Sequence, residues 1–282
     1  MPETSSSPIG MFDSGVGGLA ALIETHRQFP GEDVIYFADS AYFPYGSRSI
    51  DEIRDRARVI TQILLDRGAK LIVVACNTAT SAAIAHLREL FDVPFVGTEP
   101  ALKPAAERTL AGRVALLVTP QTAQGAKLAA LIDRFGSEVD VRTIQAPDLA
   151  ERVEAGALAE PATRALVRTY VEQVRQSGAD VLALGCTHYA FLRGMIEEEV
   201  GDGIVVIEPA AAVARQVGRV LDARRLRSAH PSGGRVLYLT SGDEAAFAQK
   251  RVALVTAGIE IPAGAESLGA QSDGEAWATS GT

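Results

Sequence analysis

The sequence predicts an α/β fold with two similar αβα sandwich domains built on mostly parallel sheets, and three observations carry that expectation. Short runs rich in β-branched residues alternate with stretches of helical periodicity along nearly the whole chain, the pattern of strands joined by crossover helices. The strand runs are continuously apolar rather than alternating, as expected where helices cover both faces of a sheet. At 282 residues the chain is comfortable as two domains of roughly 100–150 residues each.

The first strand is expected at 9–12, where an apolar run precedes Asp13, Ser14 and a glycine-rich turn into a helix at 18–28. Residues 34–37 give a second strand, and the segment from Ala38 to Arg48, rich in aromatics, leads into a long helix at 50–67. Leu71-Ile72-Val73-Val74-Ala75 forms the third strand and closes on Cys76, before a helix at 79–90. A short strand at 95–97 ends in Gly97-Thr98-Glu99-Pro100, and a helix follows at 101–109. The series then restarts, with a strand at 114–118, a helix at 121–135, a strand at 139–143 and a helix at 161–177. Another strand, 181–184, closes on Gly185-Cys186, and a helix at 191–199 precedes a short strand at 205–207. Glu208-Pro209 opens an alanine-rich helix at 210–223, and a strand at 236–239 and a helix at 244–256 complete the pattern. From Ala263 the composition turns to Gly, Ser and Ala with little periodicity, so 263–282 is expected to be a flexible tail. The Glu-Pro steps after the strands at 95–97 and 205–207 resemble each other and read as paired crossovers. They place 1–98 with 208–262 in a first, discontinuous domain and 99–207 in a second.

With 27 basic and 35 acidic residues the net charge is −8, which argues against nucleic acid and anionic membrane as partners. It leaves room for a small anionic substrate, because a helix N-terminus attracts anions locally. No secretory signal precedes Ile9, and no run approaches the roughly 20 apolar residues of a membrane helix. The two cysteines form neither a CxxC pair nor part of a metal-ligand cluster, so no disulfide framework and no metal site are expected. A cytoplasmic protein with reduced thiols is the expectation.

Those cysteines carry the chemistry. Each ends a buried strand and precedes polar residues where a helix should begin: Cys76-Asn77-Thr78 and Cys186-Thr187-His188. A single buried cysteine is more often packing than catalysis, but two in matched settings point to a reaction with two faces. An ordinary thiol is only a few per cent thiolate at neutral pH, and a helix N-terminus adds roughly 0.3–1 kcal/mol toward the anion. Other groups must help, and Asp13 and His188 are the candidates. Glycines 15, 17 and 18 let backbone N–H groups approach a ligand, although the stretch is neither a P-loop nor a G-x-G-x-x-G fingerprint. For the glycines alone a tight strand–helix turn would suffice; Asp13, at a parallel-strand end, points into the ligand crevice. The Pro44-Tyr45-Gly46 turn suits a loop covering a small ligand.

The stretches FDSGVGGL at 12–19, PYG at 44–46, ACNTATS at 75–81 and GCTHY at 185–189 together resemble the bacterial glutamate racemases of the cofactor-independent aspartate/glutamate racemase superfamily, over roughly residues 9–260. The resemblance implies that Cys76 and Cys186 are two acid/base thiols facing each other across an interdomain cleft. Asp13 would assist Cys76, and His188 with Glu154 would assist Cys186. Asp13, Ser14, Tyr45, Gly46, Asn77, Thr78, Thr187 and His188 match substrate-binding positions, and Thr119 and Thr122 look like further polar contacts from the second domain. It also implies interconversion of L- and D-glutamate without pyridoxal phosphate or any other cofactor, a supply of D-glutamate for peptidoglycan, and a homodimer. By family analogy Cys186 is the thiol that takes the proton from L-glutamate. Inversion of an α-carbon needs two proton carriers of comparable acidity on opposite faces, which two thiols provide. Lys70, Lys103, Lys127 and Lys250 all lie outside these motifs, which disfavours a Schiff base. One departure is Gln145-Ala146-Pro147, where many relatives carry a non-catalytic cysteine before the proline; it is expected to loosen the alignment of Glu154. Racemisation of aspartate or another amino acid, or an idle ligand-binding protein on the same fold, are the alternatives. A thiol-redox role lacks the resolving cysteine.

Overall fold

The computed structural model describes residues 6–135 and 139–266. In its first part β1 (Ile9–Asp13), β2 (Val34–Ala38), β3 (Leu71–Val74) and β4 (Phe95–Gly97) pair in parallel, in the order β2-β1-β3-β4. They are linked by α1 (Leu19–Gln28), α2 (Ile50–Asp66) and α3 (Asn77–Leu90). The continuous apolar runs follow from burial on both sides. Ile9 and Met11 face one core and Phe12 the other, and β2 sets Val34, Tyr36 and Ala38 opposite Ile35 and Phe37. Each fully buried side chain of this kind contributes roughly 1.5–3 kcal/mol.

The chain then passes through α4 (Leu102–Arg108) into a second parallel sheet of β5 (Arg113–Val118), β6 (Asp140–Gln145), β7 (Val181–Leu184) and β8 (Val205–Ile207). Between these strands lie α5 (Pro120–Gln124), α6 (Ala126–Phe135), α7 (Leu149–Glu154), α8 (Pro161–Gln176) and α9 (Arg193–Val200). The order β6-β5-β7-β8 repeats that of the first sheet, so the molecule is two αβα domains of one plan. Val114, Leu116 and Val118 of β5 pack with Leu102 and Ala105 of α4, whereas Ala115 and Leu117 face the cluster that holds Val167, Val171 and Val174 of α8. That second cluster continues into the first domain through Leu22 and Met11, making one core across both. Finally α10 (Ala210–Arg224) packs on α1, and β9 (Val236–Thr240) and β10 (Gly264–Glu266), separated by α11 (Glu244–Thr256), extend the first sheet beyond β2. Among the described residues no helix is long and apolar enough to cross a membrane.

Several expectations are corrected. The helix expected at 121–135 is two, because Gly125 is extended (φ −73, ψ 132) and its N–H closes α5 on the Thr122 carbonyl; glycine is among the weakest helix formers. The helix expected at 191–199 begins as a 3-10 segment, Thr187–Leu192, with α9 starting at Arg193. The six residues of α7 were not expected, since fewer than two turns show no periodicity. The tail expected to be flexible from 263 starts instead with β10, paired in parallel with β9; one glycine and one alanine in three residues leave no apolar run to betray a strand. Residues 267–282 of that expected tail lie outside the described residues.

Candidate active site

β3 and β7 occupy equivalent places in their sheets, each beside the central strand, and each leads to a cysteine. β3 delivers Cys76 as the N-cap of α3, where its sulfur accepts the Ala79 N–H at 3.5 Å. β7 delivers Cys186 through Gly185 to the start of the 3-10 segment. There the sulfur makes no cap hydrogen bond and lies 3.8 Å from His188 Nδ1. The two contexts are thus alike in topology and different in partner. Both thiols line one cavity of about 170 Å³ at the C-terminal ends of the strands, where parallel α/β sheets bind ligands. A cavity of roughly 150 Å³ holds benzene, so this one fits a small metabolite.

Both domains form the walls. Ser14, Tyr45, Gly46, Asn77 and Thr78 line the cavity from the first, and Thr119, Thr122, Thr187 and His188 from the second. The Tyr45 hydroxyl is turned away from it, donating to Asp39 Oδ2 at 2.5 Å. Asp39 also accepts from Arg56 Nη2 at 2.7 Å and Nε at 3.1 Å, and the Arg56 guanidinium lies 3.9 Å from the centre of the Tyr42 ring. That buried network pins the loop from Asp39 to Arg48 over the cavity. Asn77 is the converse case: both polar atoms of its amide are buried with no hydrogen-bond partner in the protein, beside a cavity it lines.

Asp13 and Glu154 stand behind the wall rather than in it. Asp13 is fully buried and accepts from Ser14 Oγ at 3.0 Å, Thr187 Oγ1 at 2.9 Å and the Gly15 N–H at 3.1 Å. It therefore joins the first domain to the second, and no direct hydrogen bond ties it to Cys76 among those the structure gives. Glu154, at the end of α7, accepts the Val16 N–H at 2.9 Å, meets His188 Nε2 at 3.0 Å and takes Lys250 Nζ at 2.6 Å. Two glycines permit this approach. A Cβ on Gly15 would overlap the Glu154 carboxylate, and one on Gly17 would overlap His188 Nδ1 and Thr187 Oγ1.

Environment drives the titrating groups apart. Burial, then the neighbouring Asp13 charge, pushes the Cys76 thiol well up. Burial also raises Asp13, against the opposing effects of His188 and of its hydrogen bonds from Thr187, Ser14 and Gly15. Glu154 moves the other way: burial opposes ionisation, but His188, Lys250 and the Val16 N–H hold its carboxyl below the ordinary value. For His188 burial disfavours the cation, yet its bonds to Cys186 and Glu154 and the charges of Cys186 and Asp13 carry it well above its ordinary value. As an imidazolium it donates from Nε2 to Glu154 and from Nδ1 toward Cys186. Two carboxyls, Asp13 and Glu154, pushed in opposite directions in this way are the mark of assigned acid and base roles. Among the described residues no group of three or more His, Cys, Asp and Glu side chains is arranged to hold a metal ion.

Sequence reasoning missed several residues here. Phe43 packs its ring on His188 at 5.4 Å between centroids, and Gln121, Asp148 and Glu151 line the cavity. Ala146 and Pro147, the departure from the family pattern, line it too, and their carbonyls accept from Tyr189 and Tyr170 at 2.8 and 3.0 Å. Lys250 reaches the site although it lies outside every motif. Its partner is 96 positions away, and no local signal could have joined them.

Residues 14–217 match the family described as Asp/Glu/hydantoin racemase. The glutamate racemase of Ectopseudomonas mendocina is 49% identical over 240 residues, covering 85% of this chain and 91% of the relative. Among solved structures, glutamate racemase isoform RacE1 from Bacillus anthracis superposes with a TM-score of 0.82 at 29% identity, covering 91% of this chain and 96% of that one. The Escherichia coli glutamate racemase, solved with L-glutamate and the activator UDP-MurNAc-Ala, gives a TM-score of 0.77 at 29% identity, over 89% of this chain and 94% of that one.

Proposed function

The chain belongs to the Asp/Glu/hydantoin racemases, among the glutamate racemases, and from that premise we propose that it interconverts L- and D-glutamate by proton transfer between two thiols, without a cofactor, supplying D-glutamate for peptidoglycan. One observation carries the reading: Cys76 and Cys186, delivered by equivalent strands of two like sheets, line a single small cavity. One sulfur, as thiolate, takes the α-proton. The electron pair left on the α-carbon spreads into the adjacent carboxylate, and the other sulfur, as thiol, delivers a proton to the opposite face. The turnover leaves the two thiols with exchanged protonation states.

The assisting roles follow the geometry. His188, held by Glu154, passes charge to and from Cys186, and Asp13, tied to Thr187, supports the Cys76 side through its field. The Asn77 amide, the hydroxyls of Thr78, Thr119 and Thr122, and the N–H groups at the start of α3 are donors for the substrate carboxylates, and they stabilise the charge that develops on the α-carboxylate. We read 1–98 with 208–262 as one domain and 99–207 as the other, in a cytoplasmic homodimer, a state that sedimentation of the purified protein tests.

Circular dichroism of L- and D-glutamate solutions follows turnover directly. Wild type should racemise both, and Cys76→Ala or Cys186→Ala should each lower kcat by about 10²–10⁴, the span associated with loss of a general acid or base. Normal racemisation by both single variants would sink the two-thiol mechanism, and turnover of L-aspartate in preference to glutamate would sink the substrate assignment.

A further inference from the structure

Lys250 belongs to none of the segments that line the cavity, yet it completes the coordination of Glu154. Its Nζ donates to Oε1 at 2.6 Å, while Oε2 meets His188 Nε2 at 3.0 Å and the Val16 N–H at 2.9 Å. The contact is built by packing. Asp243 caps the start of α11, accepting the Ala246 N–H at 2.7 Å. Phe247 and Leu254, three residues before Lys250 and four after it, are buried on the same side of the helix. Phe247 stacks on Tyr36 with ring centroids 6.4 Å apart, and the Tyr36 hydroxyl donates to the Gly15 carbonyl at 2.7 Å. Near the far end of the helix, Gly156 just past α7 lies so close to Ala253 that an added Cβ would come within 2.9 Å of it. The helix bearing Lys250 is therefore clamped between the loop after β1 and the end of α7. Its neighbour Arg251 turns onto the Tyr238 ring, 4.1 Å from the centre.

Resting on the racemase reading above, we propose that Lys250 is a positioning residue for the Cys186 half of the reaction: it shares the Glu154 carboxylate with His188, fixes its orientation between the two domains and limits how firmly it holds the imidazolium proton. A carboxylate devoted to His188 alone would stabilise the imidazolium more strongly and make it a poorer proton donor toward Cys186. A second cation on the same carboxylate divides that attraction. The titratable and charged groups around His188 are Cys186 on its own segment, Asp13 at the end of β1, Glu154 on α7, and Lys250 of α11 beyond Glu154. From the covering loop only the Phe43 ring faces it among the contacts the structure gives.

The test compares wild type with Lys250→Met and Lys250→Arg by circular-dichroic rates for both enantiomers across pH, and by NMR titration of His188, one of only four histidines. Lys250→Met should lower kcat about tenfold or more with KM changed much less, and kcat/KM must fall equally for both enantiomers because their equilibrium constant is one. It should also raise the ionisation of His188, and the alkaline limb of kcat with it, by about one pH unit, while Lys250→Arg restores both. Unchanged kcat and an unshifted His188 in Lys250→Met would overturn the proposal. So would lost activity with His188 unshifted and no recovery in Lys250→Arg, which marks a merely structural residue. Should Lys250→Met not fold, Lys250→Gln carries the same readouts. A wild type that does not racemise glutamate removes the racemase reading alone, because the His188 titration decides the electrostatic role without turnover.

Discussion

Asn77 sits buried at the first turn of α3 with neither amide atom bonded within the protein, although an unsatisfied buried polar group costs about 1–3 kcal/mol. A fold keeps such a group where a ligand will meet it. Asn77→Ala should therefore raise KM for glutamate at least about tenfold, equivalent to about 1.4 kcal/mol, while the thermal midpoint holds or rises. An unchanged KM would remove the amide from substrate contact. At this scale the sequence was informative where chemistry coincided with a strand end: Cys76 and Cys186 each close an apolar run and line the cavity as expected. Asp13, expected to point into the crevice from the end of β1, is instead fully buried behind its wall. Glu154 had no such marker and was reachable only through family resemblance. Tyr45 could be placed beside the ligand, but not the direction of its hydroxyl, which Asp39 decides from a point six residues earlier.

The loop between β1 and α1 shows what an element contributes beyond its own side chains. Its glycines bring backbone against Glu154 and His188, groups that belong to the other domain. Gly17→Ala would insert a methyl into the space of His188 and Thr187, an overpacking worth typically 1–3 kcal/mol. The expected outcome is a lowered unfolding midpoint together with a reduced kcat; a variant with wild-type values for both would show that the loop moves freely aside. Nine of the ten described strands were legible, most of them because burial on both faces makes a continuous apolar run; β6, at the edge of its sheet, is largely exposed and carries Asp140 and Arg142. The short elements were not. α7 has too few residues to display a period, and α5 and α6 read as one helix because Gly125 is a local break within a continuous pattern. It is through α7 that Glu154 enters the site, so the least legible helix carries a group the mechanism uses.

Across the whole molecule the two domains are joined at the site itself, by Asp13 with Thr187 and by Glu154 with Val16 and Lys250. Glu154 titrates below its ordinary value of 4.5, so its stabilisation is fully present above that pH and is lost as pH falls through the lowered value. Glu154→Gln should accordingly destabilise the protein by roughly 3 kcal/mol near neutrality, the scale for breaking a buried ion pair, and the gap should close as acid carries the wild type below that point. Denaturant unfolding at several pH values measures it, and a gap independent of pH would refute the ionic account. The plan of two parallel-sheet αβα domains was legible from the alternation of strand and helix runs, whereas contacts such as Glu154 to Lys250 depend on how the finished domains meet. The return of β9 to the first sheet has a consequence for the nascent chain. Arg235, just before β9, bonds Asp33, just before β2, across 202 positions. At bacterial rates of about 5–20 residues per second, the open edge of β2 waits on the order of 10–40 s on the ribosome for its neighbour. Such an edge is a template for pairing with other chains, so the half-made first domain is the species most in need of chaperone cover. α11 arrives directly after β9, and Lys250 with it, so Glu154 gains its second cation only after 96 further positions have been made.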